Sequence, residues 1–95
     1  MPELTLLELK KTTQFRKDLK HMIKRGLNIS LLDDVIQTIR KQEPLDPKHF
    51  DHELSGDYSG FRECHIQSDW LLIYLVDKKN LILTASRTGS HSDLF

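Results

Sequence analysis

Ninety-five residues, 38% of them hydrophobic, set the scale of a single core, and 14 basic against 14 acidic side chains leave no net charge. No apolar run approaches the roughly 20 residues of a membrane span, and the opening MPELTLLELKK lacks the basic-then-apolar order of a secretion signal, so a cytoplasmic protein is expected. Cys64 is the one cysteine, which excludes an intramolecular disulfide and a cysteine-built zinc cluster and reads as a small core residue.

In chain order, LTLLELK (Leu4 to Lys10) is a short apolar run suited to a strand. From Thr13 a helix is predicted, with Phe15, Leu19, Met22 and Ile23 spaced i, i+4, i+7, i+8 on a core face and Lys17, Lys20 and Lys24 projecting opposite. Seven basic residues lie between Lys10 and Arg25 against the single acid Asp18, so this surface is locally cationic on a neutral chain. It is either a solvated face or a dock for nucleic acid. Gly26 is placed to stop the helix, and Ser30 with Asp33 resembles a capping box opening a second, over Ser30 to Gln42, whose apolar arc is Leu31, Leu32, Val35, Ile36 and Ile39.

EPLDPKHFDHELSGDYSG then reads as an ordered loop, with an acidic excess that makes the molecule dipolar. Three strands follow, Phe61 to Ile66, Trp70 to Val76 and Leu81 to Thr88, joined by the short turns Gln67-Ser68-Asp69 and Asp77-Lys78-Lys79-Asn80. The expected fold is α+β. A two-helix hairpin packs on one face of a mainly antiparallel four-stranded sheet, in the order β-α-α-β-β-β, with residues 1–95 as one domain.

Strand alternation puts Glu63 and His65 on one face and Cys64 and Ile66 on the other. If the helices cover the Cys64 side, Glu63 and His65 lie open, and Asp69, Arg87 and His91 converge on the same end, with His52 from the loop as a further imidazole. Such a set suits RNA cleavage through its own 2′-hydroxyl. A base takes that proton, an acid protonates the departing 5′-oxygen, and a cation holds the phosphate. Imidazoles, with a pKa near about 6.5, fit the first two roles and a guanidinium the third. Carboxylates beside the rings, Glu63 and Asp69, would tune and orient them. No metal or cofactor is needed.

Duller readings stand beside these. Trp70 reads as core or as a base-stacking platform, and Leu94-Phe95 as packing that pins the tail. His49, Asp51 and His52 with His65 or His91 are acceptable metal ligands, though without a recognised spacing.

DHELSGDYSGFRECHIQSDWLLIYLV followed by RTGSHSDLF resembles the YafQ branch of the RelE-type bacterial toxins. The shared pattern is a His-x-Leu-x-Gly loop, an Arg-Asp-x-His strand, a Pro/Ser-Asp-Trp-x-Leu-Ile-Tyr strand and a terminal Arg-x-Gly-x-His-x-x-Leu-Phe. The detailed match spans Asp51 to Phe95, while the N-terminal half agrees in its strand-helix-helix layout.

That resemblance implies a ribosome-dependent endoribonuclease that cuts mRNA in the ribosomal A site and is silenced by a co-expressed antitoxin. It places His52, His65, Asp69, Arg87, His91 and Phe95 at catalytic or substrate-contacting positions, with Trp70 adjacent. Glu63 stands where the family commonly has Asp. The basic helix, through Lys17, Lys20 and Lys24, would face ribosomal RNA. The rival expectations are a non-catalytic sibling that binds a target such as DNA gyrase, and a metal-dependent nuclease.

Overall fold

The computed structural model describes residues 5–95. Strand β1 spans Glu8–Lys11, so the Leu4 end of the expected strand lies outside the described residues. Thr12 then caps helix α1 (Thr13–Lys24), its hydroxyl accepting the Phe15 N–H at 2.9 Å.

The buried face of α1 is Phe15, Asp18 and Met22, with Leu19 packed beside them; Ile23, expected inside, is 53% exposed. The correction has a physical cause. Asp18 is drawn into the protein by a cationic partner, which rotates the inward stripe to i, i+3, i+4, i+7 and turns Ile23 out. Gly26, at φ +81°, follows the C-cap Arg25 in the left-handed conformation that ends helices.

Helix α2 (Ile29–Arg40) is capped by Asn28, whose side chain accepts the Ser30 N–H, rather than by Ser30 itself. It buries Leu32, Val35, Ile36 and Ile39.

Among the described residues the sheet has five strands in the order β1-β5-β4-β3-β2, one more than expected. The addition is β2 (His52–Glu53), two loop residues that pair with the edge of β3 (Arg62–Gln67). Strand β4 (Trp70–Asp77) joins β3 and β5 (Ile82–Gly89) in the expected antiparallel meander, and β1 adds in parallel to β5.

The helices cover one face of the sheet, over a core that includes Phe15, Met22, Ile36, Cys64, Leu72 and Leu83. Burial pushes the Cys64 thiol far up, so it stays neutral. On the other face Leu71, Ile73 and Leu94 form a second, smaller cluster under Leu54, Tyr58 and Phe61. β4 is therefore buried on both sides, which accounts for its unbroken apolar run WLLIYLV.

One irregularity positions the site. β4 and β5 pair Tyr74 with Ala85 but Ile73 with Arg87, leaving Ser86 as an extra residue. Regular pairing would have turned Arg87 toward the helices; the bulge turns it to the open face beside Ile73. The carbonyl of Ser86 is held at 2.8 Å by the Thr12 hydroxyl.

Candidate active site

Cross-strand register assembles the open face in two rows. His52 faces Glu63, Glu63 faces Ile73, and Ile73 faces Arg87; in the next row His65 faces Leu71, which faces Gly89. Directly opposed residues share a face, so His52, Glu63, His65 and Arg87 all project from the side the helices leave free.

Glu63 is the centre of this group. It is only 4% exposed, and its Oε1 lies 3.6 Å from His52 Nε2 and 3.8 Å from His65 Nε2. An enclosed carboxylate is costly unless cations or polar hydrogens face it, and the two ring nitrogens nearest it meet that need when they carry hydrogen. The His52 ring is fixed from behind, its Nδ1 donating to the Phe50 carbonyl at 2.6 Å.

The tail supplies the third ring. Gly89 turns into Ser90, which caps a single helical turn, α3 (His91–Leu94), in a reciprocal capping box with Asp93. A Cβ at Gly89 would stand 3.0 Å from Asp93, so only glycine lets the turn fold this closely. Asp93 also receives Arg25 of α1 at 2.7 and 3.0 Å; that guanidinium and the Ser90 N–H hold its carboxyl well below the usual range.

Asp69, in the β3–β4 turn, accepts the His91 backbone N–H at 3.0 Å and its Nδ1 at 2.5 Å. Those bonds lower the Asp69 pKa, the backbone N–H first. With Nδ1 donating to Asp69, a neutral His91 presents a bare Nε2. The His65 and His91 rings are 5.8 Å apart. Glu63, His65 and His91 each offer one ligand atom within 4.8 Å of the others.

The alternative metal set, His49, Asp51 and His52 with His65 or His91, is not assembled among the described residues. His49 donates to the His65 carbonyl, His52 turns to Phe50 and Glu63, and Asp51 is taken by Arg62 and by the buried Tyr74 hydroxyl. Burial first, and the hydrogen bond to Asp51 second, push the Tyr74 phenol up.

Arg87 reaches the open face but is not free. Its Nε meets Asp18 Oδ2 at 2.7 Å and its Nη2 meets Oδ1 at 3.3 Å, and the same carboxylate accepts the Thr88 N–H at 3.2 Å. β1 pairs with β5 only as far as Ala85, so Asp18 closes the edge that β1 leaves open. Sequence reasoning missed this role, although the lone acid in a basic helix was its signal. Among the described residues no hydrogen bond joins Arg87 to the imidazoles; it stands about 10 Å from Glu63 along the row, two strand spacings.

Trp70 requires a correction. It is 3% exposed in the helix-side core and its Nε1 donates to Thr88 Oγ1 at 2.9 Å, so it has no face to offer a base. The tail divides likewise: Leu94 is buried, while Phe95 is 62% exposed, with its ring against Tyr58 and His91. Lys17, Lys20 and Lys24 are exposed on α1, outside this cluster.

The fold and site together define a small α+β protein of the RelE type, with an imidazole and carboxylate cluster on the sheet face opposite α1 and α2. Residues 7–95 match the family model for YafQ, the bacterial toxin of type II toxin–antitoxin systems, and the chain belongs to that family. It is 36% identical over 83 residues to the mRNA interferase toxin YafQ of Escherichia coli K12, covering 86% of this chain and 88% of the relative. A copper-bound mutant toxin from Helicobacter pylori is 46% identical at a TM-score of 0.89, covering 95% of this chain and all of that one. The toxin in the E. coli DinJ–YafQ toxin–antitoxin complex superposes at 0.85 with 31% identity, over 95% of this chain and 98% of that one.

Proposed function

We propose that this YafQ-family toxin is an endoribonuclease that cuts mRNA on the ribosome by acid–base chemistry on its open sheet face. The observation that carries the reading is the approach of His65, His91 and Glu63, with Asp69 locked behind His91. The mRNA interferase relative supports it.

His91, its Nδ1 donating to Asp69, takes the 2′-hydroxyl proton on Nε2. The 2′-oxygen attacks the adjacent phosphorus and the bond to the 5′-oxygen breaks. His65, facing Glu63, gives a proton to that oxygen, leaving a 2′,3′-cyclic phosphate and a 5′-hydroxyl. Arg87, on the same face, stabilises charge on the phosphate, and Asp18 keeps its guanidinium in place. His52 braces Glu63 from the loop side. Phe95, exposed beside His91, offers a ring to a base.

The partners follow from the same reading. The exposed Lys17, Lys20 and Lys24 suit ribosomal RNA, and equally an acidic antitoxin segment that would cover them; the E. coli relative forms a complex with its antitoxin. Among the described residues no helix is long and apolar enough to cross a membrane, and a ribosomal target places the toxin in the cytoplasm. Residues 1–95 serve as one toxin domain.

A second reading has its own observation. Glu63, His65 and His91 could hold a divalent ion, and one relative is copper-bound. Such an ion would occupy the lone pairs that proton transfer needs.

Mapping mRNA 5′ ends after induction tests the proposal. Cuts phased to codons in translated messages are expected, and are lost in His65→Ala and His91→Ala. Growth arrest without scission would favour a non-catalytic toxin binding a target such as gyrase.

A further inference from the structure

Phe50 is spent neither on the core nor on ordinary backbone geometry. It is 66% exposed, and its φ of 47° and ψ of 44° put a bulky side chain in the left-handed region, which such residues rarely enter. The short 3₁₀ turn Pro47–His49 holds it there, the Phe50 N–H donating to the Pro47 carbonyl at 3.1 Å, while its own carbonyl receives His52. Strained backbone kept under an exposed ring is an observation that asks for a use.

The ring's surroundings supply one. Phe50 makes a T-shaped contact with His65, centroids 5.6 Å apart. On the far side of the imidazole pair, Phe95 lies 6.1 Å from His91. Rings therefore run Phe50, His65, His91, Phe95, with an exposed phenylalanine at each end. Beside Phe50 opens a cleft of about 460 Å³ whose walls include Lys48, His49, His65, Gln67 and Ser68. It contains an aromatic wall, an ammonium and an amide, and it ends at an imidazole of the proposed acid–base pair.

Resting on the nuclease reading, we propose that this cleft is a nucleotide subsite on the far side of the imidazole pair from Phe95. The base next to the scissile phosphate stacks on Phe50, Lys48 meets the adjoining phosphate, and Gln67 and Ser68 contact the base edge. The occupant is single-stranded RNA, because a base within a duplex has no free face to stack. Stacking tolerates every base, while an amide and a hydroxyl at the edge discriminate among them. The subsite thus contributes to which codons are cut.

Phe50→Asn removes the ring and keeps the left-handed backbone that asparagine tolerates, whereas Phe50→Trp keeps a stacking surface. On mRNA-programmed ribosomes, Phe50→Asn is expected to raise KM about tenfold with little change in kcat, and to alter the nucleotides flanking the cuts, while Phe50→Trp stays near the wild type. As a second measurement, an unstructured oligoribonucleotide of adenosine and uridine titrated into the His91→Ala chain should shift the NMR signals of Phe50, Gln67 and Ser68, and Phe50→Asn should abolish those shifts. Wild-type protein that cuts, with Phe50→Asn unchanged in KM and cleavage pattern, overturns the subsite and leaves the nuclease reading standing. Wild-type protein that leaves translated messages intact removes the nuclease reading itself, and the subsite with it.

Discussion

Asp69 grips His91 twice with one oxygen, taking the backbone N–H at 3.0 Å and the ring Nδ1 at 2.5 Å. The first bond fixes where the tail turn begins and the second fixes which ring nitrogen carries hydrogen. His91→Ala should therefore lower kcat by about 10²- to 10⁴-fold, the range for losing a general base. Asp69→Ala should cost less, about tenfold, because the ring remains but its orientation is lost. Single-turnover cleavage rates of the two variants check the ordering.

The same tail is latched at its other end by Asp93, which Arg25 reaches with two nitrogens. Both Asp69 and Asp93 have folded-state pKa values below the ordinary carboxylate range. Groups shifted downward stabilise fully above their unfolded value, about 3.9, and lose that contribution as pH falls through the lower folded value. The tail turn should therefore hold its position from neutral pH down to about 4 and detach in stronger acid. Amide exchange at His91 to Phe95 as a function of pH measures it. Asp93→Asn should speed that exchange at neutral pH while leaving the amides of β4 protected.

Asp18 is the residue through which α1 reaches the site. Removing it frees Arg87 and leaves the Thr88 N–H unpaired at the sheet edge. Asp18→Ala should cost about 2 kcal/mol of stability, the scale for stranding a buried polar partner, moderated here because Arg87 is a quarter exposed. If Asp18 acts on catalysis through Arg87, the kcat losses of Asp18→Asn and Arg87→Ala will not add in the double variant. Additive losses would show that Asp18 serves the fold alone.

Much of this was written in the chain, though unevenly. The helix periods and the three meander strands follow from apolar spacing, and alternation along FRECHI correctly separates Glu63 and His65 from Cys64 and Ile66, because a half-buried strand obeys period two. Alternation fails at Ser86, since a bulge is set by pairing between strands and by a hydroxyl 74 positions away, and no local pattern records either. Ile23 and Trp70 show the same limit from two sides. Ile23 carries the right spacing but lies outside because Asp18 turned in, and Trp70 sits next to the site in sequence but buries its ring under Thr88. Phe50 could not have been singled out, as its left-handed backbone and open ring exist only once the loop has folded.

Metal addition separates the acid–base route from a metal-dependent one. Both rest on Glu63, His65 and His91, whose ligand atoms lie within 4.8 Å of one another. An imidazole that coordinates an ion through its lone pair cannot take a proton with it, so under the acid–base route copper or zinc should slow cleavage and a chelator should restore it. Under the metal-dependent route the chelator is the inhibitor. Affinity adds a second check: protons compete with metal for the same lone pairs, so metal should hold less tightly, and inhibit less, in acid. Glu63→Gln, which keeps the shape of the side chain but weakens it as a ligand, should lessen metal inhibition. Cleavage by metal-free wild-type protein at an undiminished rate is the result the acid–base route requires; cleavage that appears only when an ion is added would move the chemistry to the ion.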